Sequence, residues 1–208
     1  MIQAVIFDVD GTLLNSDQAI ILALQQVLRE EKKMEYTSEE LIPVLGMTSE
    51  NCFTFLGVSD VKRVVEKLTL YVKRNNHMMI LYPGIEELLK KLVGKGIHTG
   101  VVTSKTREEF KVDFMPHGIS ELFSHIICAD DTSRHKPDPD PLLKYVEQTK
   151  INPTTTLYVG DTVYDQKCAN WAQIDFALAM WGAKQPERTM AKYRLNLPND
   201  LLRIVGLE

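Results

Sequence analysis

The stretch from Gln3 to Ser16, QAVIFDVDGTLLNS, decides the fold. Its first half, Gln3 to Val9, holds an unbroken apolar run, Ala4 to Phe7, with no polar alternation until Asp8. Such a run suits a strand buried on both faces. It stops at Asp10-Gly11, a pair that favours a turn. Four later runs have the same character: Ile97 to Thr103 (IHTGVVT), His125 to Ala129 (HIICA), Thr155 to Gly160 (TTLYVG) and Ile174 to Ala179 (IDFALA). Helical patterns lie between them. Gly84 to Gly94 places Ile85, Leu88, Leu89 and Leu92 on one stripe, and Pro141 to Lys150 does so with Leu142, Leu143 and Val146. Strands alternating with helices predict an α/β protein, a parallel sheet covered by helices on both faces.

One interval breaks this rhythm. Between Asp10 and Tyr82-Pro83-Gly84 no run reads as a convincing strand. Two helical stripes appear instead, Ile20, Ile21, Leu24, Val27 and Leu28, then Val61, Val64, Val65, Leu68 and Val72. An all-helical stretch between the first and second strands predicts an inserted helical subdomain. The expected division is a core of residues 1–14 and 83–208 and a cap of residues 15–82.

The chain has 208 residues, 44% of them hydrophobic and 25% charged, and a formal charge of −4. That balance supplies no basic stripe for nucleic acid. No segment approaches the ~20 apolar residues of a membrane span, and the N-terminus lacks the basic start of a signal peptide. Cys52, Cys128 and Cys168 fit no zinc or redox spacing and read as free buried thiols in a reducing compartment. The expectation is a cytoplasmic protein without nucleic-acid or membrane partners; the sequence carries no signal of oligomeric state.

The polar residues gather where strands end. Strand one ends in Asp8-Val9-Asp10-Gly11-Thr12, the second in Thr103-Ser104, the fourth in Gly160-Asp161-Thr162, and Lys136 sits in a loop, HKPDPDP. Ligands of open parallel sheets bind beyond such carboxyl ends. Carboxylates brought together there would repel unless a cation sat among them, and oxygen donors of this kind suit Mg²⁺. A carboxylate can attack phosphorus, a neighbouring acid can move the proton, and a lysine and a hydroxyl can cradle the phosphoryl oxygens. Each residue also has a plainer reading. Asp8 and Asp10 could be turn residues, Thr103 a β-branched strand residue, and Asp165 an N-terminal helix charge.

The motifs FDVDGTLLNS, VVTSK, HKPDPDP and GDTVYD, in this order, resemble the haloacid dehalogenase-like hydrolase superfamily, in its phosphoglycolate-phosphatase-like branch. The resemblance covers nearly the whole chain and implies a Rossmann-like core with a mobile helical cap. It implies Asp8 as nucleophile and Asp10 as general acid/base, with the Asp10 carbonyl also on Mg²⁺. Thr103, Ser104 and Lys136 would hold the substrate phosphate. Asp8 and Asp161 would bind the metal, with Asp165 supporting it through water or a hydrogen bond. The implied activity is hydrolysis of a small phosphorylated metabolite, 2-phosphoglycolate first; a β-phosphoglucomutase-type mutase, a pyrophosphatase and a sugar phosphatase share the scaffold. A dehalogenase would need neither the metal site nor Asp10, and a non-catalytic binding protein would not need the intact acid set. Two positions depart from the pattern: Asn15, where Asp is common, and Gln173, where Gly is common. A cap cation is expected to meet a substrate carboxylate, from Arg29, Arg63 or Arg74.

Overall fold

The computed structural model describes residues 2–208. Six strands form one all-parallel sheet: β1 (Ala4–Phe7), β4 (His98–Val102), β5 (His125–Ile127), β6 (Thr156–Gly160), β7 (Asp175–Ala179) and β8 (Tyr193–Leu195), in the order β5-β4-β1-β6-β7-β8. All four β1 residues are fully buried, as a central strand requires. Because β4 and β6 flank β1, the order reverses there and a crevice opens beyond the strand ends.

Helices α5 (Ile85–Gly94), α6 (Arg107–Asp113), α7 (Asp140–Thr149), α8 (Val163–Trp171) and α9 (Asp200–Ile204) belong to this core. The residues predicted for α5 are all buried, but α7 turns differently. Leu143 is exposed, and Tyr145 packs with Leu142 instead, three residues on and so on the same face. The sixth strand, β8, was not expected: it is a three-residue edge element with one buried side chain, too short to show a period.

The interval between β1 and β4 is helical, α1 (Asp17–Lys32), α2 (Ser38–Leu41), α3 (Ser49–Phe55) and α4 (Val61–Arg74), and α1 packs against α4. Ile21, Leu24, Val27 and Leu28 of α1 and Val64, Leu68 and Val72 of α4 are buried, following the predicted stripes. The interval is not free of strand, however. Where the chain enters it, β2 (Leu14–Asn15) pairs antiparallel with β3 (Ile80–Leu81), where the chain leaves. Two residues per strand leave no sequence period to read. Asn15 lies here, exposed and opposite Ile80.

Candidate active site

Asp8 follows β1 directly, and its N–H donates to the Val159 carbonyl at 2.9 Å. Beyond it the chain turns: Val9 O accepts from the amides of Thr12, Leu13 and Leu14, with Gly11 at φ +74. A Cβ on Gly11 would stand 2.2 Å from Asp161 Oδ2, so only glycine lets the β1 and β6 ends approach this closely. The Asp-Gly turn and the acidic site are thus one structure. Thr12 completes it by donating to Asp161 Oδ1 at 3.1 Å.

Lys136 is buried, with Nζ 3.0 Å from Asp8 Oδ1 and 2.7 Å from Asp165 Oδ1. Tyr158 accepts from Lys136 at 3.2 Å, and its hydroxyl lies 2.9 Å from Asp165 Oδ1 and 3.0 Å from the Val102 carbonyl. The second oxygen of Asp165 accepts from the Thr162 amide at 3.0 Å and hydroxyl at 2.6 Å, capping α8. Asp165 therefore sits at the start of a helix, as its plainer reading has it, and also fixes Lys136, a contact the sequence did not suggest. Thr103, buried beyond β4, accepts the Lys105 amide at 3.2 Å, which leaves its O–H free to donate elsewhere. Ser104 lines the cleft, and its hydroxyl donates across it to the Gly46 carbonyl at 2.7 Å, tying the helical interval to the core. Ser49 to Glu109 (3.0 Å) and Tyr164 to the Pro43 carbonyl (2.7 Å) make further bonds of this sort.

Asp8, Asp161 and Asp165 offer oxygens that all lie within 4.8 Å of one another, with one ammonium among them. The electrostatics register the crowding. Burial pushes the Asp8 carboxyl up to about 7; Lys136 opposes this, and Asp165 and Asp10 add to it. Burial likewise raises Asp161 well above the carboxylate range, reinforced by Asp165 and Asp8. For Asp165 burial works upward too, but Lys136 and Thr162 outweigh it and hold the group low. Lys136 is raised, since the pull of Asp165 and Asp8 exceeds the burial that opposes its charge, and it stays protonated. Three buried carboxylates and one lysine leave an unmatched negative charge that a divalent cation would cancel, and an all-oxygen donor set fits Mg²⁺. The donors present are therefore compatible with that metal.

Asp10 is not one of these three carboxylates, though it lines the same cleft as Asp8 and Asp161. Ser16 donates to its Oδ1 at 2.6 Å, and Lys105 Nζ stands 3.2 Å from the same atom. Lys105 is itself buried and pairs with Asp113 Oδ2 at 2.8 Å. The sequence reading assigned no role to Ser16, Lys105 or Asp113. Lys105 lies inside the VVTSK motif, but nothing in one sequence separates a buried lysine from a solvated one.

The cap arginines do not reach the cleft. Arg29 pairs with Glu35, Arg63 with Glu31 and Asp60, and Arg74 lies over the Tyr71 ring. The cleft between cap and core is lined instead by groups such as Ile20, Leu24, Leu68 and Val72 above Asp8 and Asp10. Cys52 lines it as well; all three cysteines are buried and unpaired. No helix among the described residues is long and apolar enough to cross a membrane.

Known proteins share this fold. Residues 5–179 match the haloacid dehalogenase-like hydrolase family. The chain is 28% identical to pyrophosphatase PpaX of Bacillus cereus (strain B4264), over 99% of this chain and 97% of that protein. It superposes with a TM-score of 0.90 on a Lactobacillus plantarum protein provisionally named phosphoglycolate phosphatase, 30% identical, covering 98% of this chain and 99% of the other. A subfamily IA hydrolase of the same superfamily from Geobacter sulfurreducens PCA gives 0.77 at 25% identity, covering 98% and 100%. The chain belongs to the haloacid dehalogenase-like hydrolase family, in its phosphoglycolate-phosphatase-like branch.

Proposed function

We propose that this hydrolase is a Mg²⁺-dependent phosphatase of a small phosphorylated metabolite, working through an aspartyl-phosphate on Asp8. The observation that carries the reading is the meeting of Asp8, Lys136 and Asp161 beyond the ends of β1 and β6, with Thr103 following β4, the other neighbour of β1, and Asp10 two residues from Asp8. In the first step an Asp8 oxygen forms a bond to phosphorus as the bond from phosphorus to the ester oxygen breaks. Asp10 supplies the proton that the departing oxygen takes. In the second, Asp10 takes a proton from water, the water oxygen bonds to phosphorus, and Asp8 leaves as carboxylate. Lys136 and the Thr103 hydroxyl meet the charge on the phosphoryl oxygens. Asp8 and Asp161, with the Asp10 carbonyl, would hold Mg²⁺, which when bound neutralises the phosphoryl charge and lets Asp8 ionise; Asp165 would act on it only through water and through Lys136. The helices α1–α4 would close over the site and exclude bulk water.

The names of relatives put 2-phosphoglycolate, the substrate first expected from the motifs, and pyrophosphate at the head of any substrate panel. The test of the reaction comes before the substrate. Hydrolysis of p-nitrophenyl phosphate should require Mg²⁺ and stop with EDTA, and acid quench should trap acid-stable, hydroxylamine-labile phosphoprotein. Turnover indifferent to EDTA, or turnover without a trapped phosphoenzyme, would sink the mechanism.

A further inference from the structure

The cleft above the phosphoryl site is not built for a second anion. Its cap wall is apolar, formed by Ile20 and Leu24 from α1, Val44 and Leu45 from the following turn, and Leu68 and Val72 from α4. The two cap hydroxyls on that wall are already donating, Ser49 to Glu109 at 3.0 Å and Thr69 to the Val65 carbonyl at 3.0 Å. The charged residues that line the rest, beyond the catalytic acids, are Asp17, Glu109, Asp113 and Lys105. Three of these four are acids, and the one cation is spent on Asp10 and Asp113. Asp17 is in turn paired with Lys184 at 2.9 Å, and Lys184 is not among the residues lining this cleft.

Consider what a leaving group meets there. A carboxylate or second phosphate would lose water against aliphatic side chains, find no free cation, and face acids. An uncharged alcohol with an apolar body would lose nothing and bury its surface. We propose that the cleft selects phosphate monoesters of uncharged, largely apolar alcohols over 2-phosphoglycolate and pyrophosphate. The proposal rests on the phosphatase reading above and narrows it. Cations do stand in a neighbouring opening past Asp161, where Lys184 and Arg188 lie. Lys184 is committed to Asp17, and Arg188 is exposed at the end of a short 3-10 turn, Pro186–Arg188.

Isobutyl phosphate tests this directly, because it replaces the carboxylate of 2-phosphoglycolate by an uncharged alkyl group with the same branching. With full-length enzyme and saturating Mg²⁺, kcat/KM for isobutyl phosphate should exceed that for 2-phosphoglycolate and for pyrophosphate by about tenfold or more. Thr69→Arg, which brings a cation to the half-buried edge of α4, should narrow the gap to 2-phosphoglycolate several-fold. Higher kcat/KM for either anionic substrate would overturn the proposal, and loss of that preference in Arg188→Ala would then locate the cation responsible. A ratio unmoved by Thr69→Arg would also count against it. Absence of any phosphoenzyme with any ester would instead remove the phosphatase reading itself.

Discussion

On the core side of the cleft, Asp8, Thr103 and Asp161 stand just beyond strand ends and Lys136 on a separate loop, each tied to at least one polar partner. The cap side presents Ile20, Leu24, Leu68 and Val72 from helix faces, tied to their neighbours only by packing. Core residues are fixed by directional bonds because the reaction fails when an oxygen or a nitrogen is misplaced by an ångström. Cap residues are fixed by volume and polarity, which decide what fits but not what reacts. The contrast predicts that damage to the core side falls on the chemical step, and damage to the cap side on binding and stability.

The sharpest break in the comparison would come from Asp8→Asn. It should lower kcat by about 10⁴-fold or more and abolish the phosphoenzyme, with an unchanged circular dichroism spectrum. Residual burst kinetics would place the nucleophile elsewhere. Asp10→Asn should slow both formation and breakdown of the intermediate by roughly 10²–10⁴-fold, read by quench-flow. Unequal effects on the two phases would mean that Asp10 serves only one of them. On the cap side, Leu24→Ala should cost about 2–5 kcal/mol of stability in denaturant melts, while kcat for p-nitrophenyl phosphate changes far less than in either acid variant. A collapse of kcat equal to that of Asp10→Asn would erase the distinction between the walls.

A smaller effect concerns pH. Asp8 rises from 3.8 to about 7 on folding without metal, and Asp161 moves the same way. The native state therefore binds these protons more tightly than the unfolded chain does. Metal-free stability should fall as pH rises from about 4 to about 7, by on the order of 1–3 kcal/mol. Asp165 shifts oppositely, so its contribution is lost only on acidification below the ordinary carboxylate range. Added Mg²⁺ should raise Tm more at pH 8 than at pH 5, since at pH 5 protons compete for the donors. Equal shifts at both pH values would mean that the ion binds elsewhere. The smallest effect belongs outside both walls. Gln173 follows α8 at φ +58, and Gln173→Gly should stabilise by about 0.5–1 kcal/mol in thermal melts. The family's usual glycine at this place answers to that backbone, and the glutamine is a local cost without chemical meaning.

Much of the core was legible because its constraints are local. A central parallel strand must be apolar on both faces, so Ala4 to Phe7 announced itself, and the residues just beyond such strands announced the site. Lys105 was not legible, because its meaning lies in burial between Asp10 and Asp113, contributed by the first strand-end loop and by α6. The contact made by Ser104 was hidden for a similar reason: its partner is a backbone carbonyl at Gly46, and backbone acceptors leave no mark on a sequence. The cap stripes gave the helices but not which flank of each stripe faces the cleft. Ile20 and Leu24 point there while Val27 and Leu28 pack inside, a division set by how α1 lies on the core.

The short β2–β3 ladder carries a consequence for engineering. The chain enters and leaves the helical insertion through strands that hydrogen-bond to each other, Leu14 opposite Leu81 and Asn15 opposite Ile80. The two cut points of the insertion are thus already neighbours, held at the spacing of paired strands, roughly 5 Å. A foreign helical module with termini equally close could be grafted at this strap without asking the sheet to move. On the proposed reading the molecule is a socket with one plug fitted: exchanging the plug should change the alcohol admitted and leave the chemistry in place.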